Sequence, residues 1–197
     1  MTEDRWKKVT AKTAREIVGP GTLEPESAEL LDAEIPPELF IRTLVEKEKL
    51  QDAVKVMTRA LPPREAVWWA CVCARNMAAL AEHKVETEAI EAAEAWVYEP
   101  SEKNRERAFN VVKESDSNGA GMMCALAAAF SAGNAPLGQG QHLDLDPNVF
   151  SQIVNGVVMV SAAEKKGKEI QDRLRSYLLS GEDIAQGGNG DIKDREG

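Results

Sequence analysis

The chain has 197 residues and a mass of 21.5 kDa, enough for one sizeable core and marginal for two. Hydrophobic residues make up 43% and charged ones 29%, a globular balance that excludes general disorder. The formal net charge of −9 opposes binding to phosphate backbones and to anionic membranes, so neither nucleic acid nor membrane is expected as a partner.

Met1-Thr2-Glu3-Asp4-Arg5-Trp6 carries charges with no apolar stretch after them, so no secretory signal is expected. Trp6, Val9, Thr13 and Ile17 recur at helical steps and predict a short helix, stopped by Gly19-Pro20-Gly21. Acid gathers between Glu24 and Glu48, where Glu24, Glu26, Glu29, Asp32, Glu34, Glu38, Glu46 and Glu48 face only Arg42 and Lys47. Pro36-Pro37 opens a helix over Leu39–Val45. Leu50, Ala53, Val54, Met57, Ala60 and Leu61 recur at steps of three and four, with Gln51, Asp52, Lys55 and Arg59 opposite. That is an amphipathic helix, and Pro62-Pro63 ends it.

From Ala66 to Ala74 every residue is apolar. A helix with no polar face is buried on all sides, so Trp68 and Trp69 are both expected in the core. Cys71 and Cys73 point about 200° apart on that helix and cannot share a metal. With Cys124 they read as buried thiols of a reducing compartment, the cytoplasm. Ala89, Ala93, Trp96 and Val97 form the inner face of the next helix, leaving Glu86, Glu88, Glu91 and Glu94 on a solvated one.

Pro100-Ser101 opens a helix that buries Ala108, Val111 and Val112. Ala120–Ala132 reads much the same way, apolar but for Ser131, a second central helix expected to touch the first. Gly133–Leu145 is the longest connection, and no strand of convincing length appears anywhere. Asp146-Pro147 starts a helix carrying Phe150, Ile153, Val154, Val157 and Val158. Gly167 interrupts it ahead of a last stripe, Ile170, Leu174, Tyr177 and Leu178. These elements predict an all-α fold: a single domain over residues 1–186, a bundle of about seven to nine helices that suits stacked antiparallel hairpins. A disordered tail is expected over 187–197.

The run Ala60-Leu61-Pro62-Pro63-Arg64-Glu65-Ala66-Val67-Trp68-Trp69-Ala70-Cys71 resembles a motif of an uncharacterised bacterial helical-domain family, a domain of unknown function. Members of that family resemble components encoded near secretion-system genes. The resemblance covers the middle third of the chain and brings no assigned activity, so no functional residue carries over from it.

His142, Asp144 and Asp146 alternate, and an extended backbone would point all three to one side, a donor set that suits a divalent metal. The competing account makes Asp146 a helix cap, Asp144 a solvated residue and His142 a loop residue. That account is preferred, and no metal, cofactor or catalytic residue is assigned. No phosphate loop, dinucleotide fingerprint or nucleophile elbow occurs. The expected function is a non-enzymatic protein-interaction module, an adaptor or accessory subunit of a bacterial, secretion-related assembly. Glu24, Glu26, Glu29 and Asp32 are expected to steer a basic protein partner. A metal-dependent enzyme built on residues 133–146 and a bundle holding a small apolar ligand between its central helices are the alternatives.

Overall fold

A computed structural model describes residues 5–192. Its helices are α1 (Pro25–Ala28), α2 (Pro37–Glu46), α3 (Leu50–Ala60), α4 (Pro63–Arg75), α5 (Lys84–Tyr98), α6 (Glu102–Lys113), α7 (Ala120–Phe130), α8 (Val149–Ala163) and α9 (Lys168–Gln186). One two-stranded antiparallel sheet, β1 (Asn134–Gly138) and β2 (Gln141–Asp144), interrupts them. The fold is thus all-α with nine helices among the described residues, as the helical periodicity predicts. One domain is expected from the sequence over 1–186; the contacts of the folded chain sort into two compact units, each described by itself below. The expectations for Met1–Asp4 and for Lys193–Gly197 lie outside the described residues.

The unit Pro63–Glu164 is built around α7, which packs on α4, α5, α6 and α8. Its sequence explains the position. Ala120, Gly121, Ala125, Ala127, Ala128 and Ala129 present almost no side-chain bulk, so four neighbours can approach its backbone. The expected contact between the two apolar helices is present, since α4 packs on α7. Pro62 and Pro63 separate α3 from α4, and the Ser101 hydroxyl accepts the Asn104 N–H at 3.3 Å to cap α6, both as the sequence predicts.

The second unit joins the residues up to Pro62 with those from Lys165 on. Here α3 packs on both α2 and α9, burying Phe40, Leu44, Val54, Met57, Leu174 and Tyr177. The helix expected across Trp6–Ile17 is absent. Among the described residues that segment forms only a 3-10 turn at Ala14–Glu16. Its backbone bonds instead reach distant partners, Lys8 N–H to the Ala185 carbonyl at 2.9 Å and Ala14 N–H to Ile35 at 2.8 Å. Of the four residues that spacing picks out, Trp6 and Val9 are buried while Thr13 and Ile17 are only partly covered, and the buried Ala14 lies outside the pattern.

At the other end, Gly187 adopts φ 100° and closes α9 in the left-handed conformation glycine favours. The Gly188 N–H returns to the Asp183 carbonyl and the Gly190 N–H to its carboxylate, both at 2.8 Å. The Ser180 hydroxyl donates to the Gly190 carbonyl at 2.6 Å. The described part of the tail expected to be disordered, Gly187–Ile192, therefore begins folded back on α9.

Candidate functional site

Two buried charged side chains organise the Pro63–Glu164 unit. Glu86, on the first turn of α5, is buried rather than solvated as its place among four glutamates suggests. Its carboxylate sits on the N-terminus of α7, accepting the N–H of Gly119 at 3.0 Å and of Met122 at 3.1 Å, together with the Ser117 hydroxyl. Gly119 and Gly121 sit where that carboxylate arrives, though nothing in the sequence says which glutamate meets them. A Cβ on Gly121 would lie 2.2 Å from the Glu86 carbonyl oxygen, so glycine is required for that approach. Of its three companions, Glu94 holds Arg75 through a double contact at 2.5 and 2.7 Å, while Glu88 and Glu91 are exposed.

Arg105 of α6 is the counterpart at the other end of α7. It donates from Nε and Nη2 to the Ala129 carbonyl at 3.0 and 2.8 Å, satisfying a carbonyl in the last turn. The same guanidinium grips Asn134, the first residue of β1, through its carbonyl at 2.8 Å and its side-chain oxygen at 2.7 Å. Glu102 completes the contacts at 2.8 Å.

The segment expected as an irregular loop is thus a β-hairpin tied to α6 and α7. Gly138 faces Gln141, and the two residues between them, Gln139 and Gly140, have φ of 53° and 75°. That is the two-residue turn with both central residues left-handed, which matches the twist of paired strands. Glycine, proline and glutamine hid it, because none of them reads as a strand residue.

The hairpin does not gather the metal candidates into a site. His142 stands opposite Pro136 with Nδ1 3.7 Å from Glu102 Oε1. Asp144 pairs across the ladder with Asn134 and is exposed. Asp146 accepts the N–H and side-chain amide of Asn148 at 2.8 and 3.0 Å, a turn one step ahead of α8. No group of three or more His, Cys, Asp or Glu is placed to hold a metal among the described residues.

Cys71, Cys73 and Cys124 are buried and form no disulfide among the described residues. A hydrogen bond with Cys124 and burial together push the Cys71 thiol well above its ordinary range, which leaves it a poor nucleophile. Trp69 is fully buried, but Trp68 is only half-buried and meets the ring of Tyr98, itself 72% exposed, in a tilted contact at 6.1 Å. The apolar run Ala66–Ala74 predicts both tryptophans inside. One helical step of about 100° carries Trp68 to the edge of α4 shared with the end of α5. This unit also holds the excess acid, with seven Lys or Arg against fourteen Asp or Glu, or −7.

In the other unit Glu24, Glu26, Glu29, Asp32 and Glu34 are all exposed along α1 and the turn after it. Glu26 pairs with Lys49, and the Asp32 carboxylate accepts the Glu34 N–H at 3.0 Å. Glu38 departs from the expected acidic surface, because it is buried at the start of α2. Asp52 is buried too. Burial opposes its ionisation, but the Lys55 ammonium at 2.8 Å and the Glu24 N–H at 3.2 Å outweigh it and hold the carboxyl below its usual value.

Between α2, α3 and α9 lies a groove of about 270 Å³. Ile41, Val45, Met57, Leu178 and Leu179 line it, with Arg42, Glu46, Arg175 and Glu182 at its edge. Its α9 wall begins at Arg175, 118 residues after Met57 on the facing wall, so no local pattern announces it.

Over residues 40–185 the chain matches the model of a family of unknown function, DUF6931. The chain belongs to that family. The Ala60–Cys71 run that resembles an uncharacterised family lies inside the matched span. No curated protein and no solved structure matches the chain. Every residue lining the groove falls within the DUF6931 span, whereas Glu24, Glu26, Glu29 and Asp32 precede it. No helix among the described residues is long and apolar enough to cross a membrane.

Proposed function

We propose that the chain is a non-enzymatic protein-interaction module, a cytoplasmic adaptor or accessory subunit of a bacterial, secretion-related assembly, whose partner presents a basic surface. One observation carries the reading: five carboxylates between positions 24 and 34 are all exposed, and Glu24, Glu29 and Glu34 have no ion pair among the described residues. Surface ion pairs such as Glu26–Lys49 neutralise little of such a field, which raises the encounter rate with a cationic partner. The −7 balance of Pro63–Glu164 adds to the attraction. Support for a non-enzymatic role comes from Glu86 and Arg105, buried charged groups that are engaged in holding backbone. The test is a pull-down from native lysate with Glu24, Glu26, Glu29 and Asp32 all changed to lysine. The partner should be lost, and wild-type recovery should fall as salt rises from about 0.05 to about 0.5 M, where screening shortens to a few ångströms. Equal recovery by both proteins removes the reading.

A further inference from the structure

We infer that the groove between α2, α3 and α9 receives an amphipathic α-helix of the partner, with one apolar face and lysine or arginine beside it. This rests on the interaction-module reading and names the shape and chemistry of what docks. Size comes first. A cavity of about 150 Å³ holds one benzene-sized group. The groove, at about 270 Å³, therefore takes about two such side chains, and it falls below the ~300–1,000 Å³ usual for small-molecule sites. It is open to solvent, as a groove for side chains on a neighbouring helix must be.

The lining fits that occupant. Met57 of α3 lies buried at the floor, and its flexible thioether adjusts to incoming side chains. Leu179 on α9 is 52% exposed, an apolar side chain left in water at the lip, and Val45 faces the same space from α2. Helical anchors spaced three or four residues apart would cover them.

Charge selects the flank of the incoming helix. Arg42 bridges α2 to α9 by pairing with Glu182 at 2.5 Å, and Arg175 is held by Glu48 and by Asp172 at 3.6 Å. Both arginines are engaged. Glu46 lines the groove with no ion pair among the described residues. Counting Arg42, Arg175, Glu46, Glu48, Asp172 and Glu182, all described residues, the rim carries a charge of −2. Such a rim favours a cationic helix and repels an acidic one. All nine lining residues also fall inside the span shared with the family, where the exposed acid of Glu24–Asp32 does not.

The experiment uses the full chain and a fluorescein-labelled model helix of leucine and lysine with all leucines on one face. A second peptide replaces lysine by glutamate, and a third scrambles the leucine order. In anisotropy titrations the ordered leucine–lysine helix should bind the wild type, about tenfold more weakly to Leu179→Ser, and several-fold more weakly to Glu46→Lys. The glutamate and scrambled peptides should bind at least about tenfold more weakly than the first. Both substituted positions are exposed, so the fold should persist; circular dichroism checks it, and Val45→Thr replaces Leu179→Ser if that variant unfolds.

Equal binding to wild type and Leu179→Ser, or equal binding of the lysine and glutamate helices, overturns the inference. So does octanol that moves the Met57 methyl resonance and displaces the peptide, which would make the groove a small-ligand site. Dimerisation in ultracentrifugation that Leu179→Ser abolishes would assign it to a second copy and likewise overturn the proposal. A lysate partner lost on reversing Glu24–Asp32 but retained by Leu179→Ser sinks the groove and leaves the interaction module standing. A partner indifferent to both changes sinks both.

Discussion

Replacing Glu86 by alanine should be among the most damaging single changes to this fold. The carboxylate accepts two backbone N–H groups of the first turn of α7, at 3.0 and 3.1 Å, and the Ser117 hydroxyl. A hydrogen bond to a charged group contributes about 1.5–3 kcal/mol, and loss of a helix N-cap costs about 0.5–2 kcal/mol. These overlap, because the caps are the hydrogen bonds, so the cap figure is not added; the hydrogen-bond figure applies to each of the two amides. Glu86→Ala also opens space beside Gly119 and Gly121 and leaves two amides without acceptors. The expected loss is about 3–5 kcal/mol out of a total near ~5–15 kcal/mol. Glu86→Gln keeps the volume and one carbonyl oxygen but turns an NH2 toward backbone donors, so about 1–3 kcal/mol should be lost. Urea denaturation followed by circular dichroism measures both, with the slope compared to confirm that the same surface unfolds. A Glu86→Ala loss below about 1 kcal/mol would mean that water replaces the carboxylate freely, and the capping argument would fail.

Gly121→Ala should destabilise strongly on its own, because its Cβ would sit 2.2 Å from a backbone oxygen that cannot swing away; a melting temperature equal to wild type would contradict that packing. Trp69→Ala should cost about 3–5 kcal/mol and Trp68→Ala about 1–2 kcal/mol, so thermal unfolding that ranks them equally would refute the difference in burial. Asp52 has its folded value below the unfolded one, so the stability it contributes is present above pH ~4 and lost as pH falls through the folded value. The gap in melting temperature between wild type and Asp52→Asn should therefore hold from pH ~7 to ~5 and close below ~4; a gap unchanged at pH ~2 would count against the Lys55 and Glu24 contacts. Native protein should leave Cys71, Cys73 and Cys124 unlabelled by a maleimide until it unfolds, and rapid labelling of the folded chain would show an opening of α4 from α7.

Helix positions were legible because proline, serine and glycine mark ends locally: Pro37, Pro63, Ser101 and Gly167 all stand at helix starts. The central pair was legible for a related reason, since a helix without a polar face has nowhere to go but inside. Glu86 was not legible. On its own helix it resembles Glu88 and Glu91, and only the arrival of α7 decides which glutamate is enclosed. Arg105 hides likewise in the charged run Glu102–Arg107, its role fixed by carbonyls at 129 and 134. Trp68 departs from the expectation because apolarity all round describes composition, whereas burial depends on how many neighbours a helix has at each end. The groove belongs wholly to tertiary structure. The acidic segment was visible at once as composition, yet its pairing with Lys49 and the burial of Glu38 were not.

A two-stranded hairpin on its own is marginal in water. The one here persists because a single guanidinium joins its first residue to the last turn of α7, so it has little stability to lose independently of those helices. Its amide protons thus become a gauge of the helical unit. If Arg105 holds, hydrogen exchange across β1 and β2 should slow and quicken in step with the C-terminal turn of α7, as one cooperative unit under mild denaturant. Cutting that tie with Arg105→Met would free the two rates from each other, and the hairpin would open while the helices stayed closed.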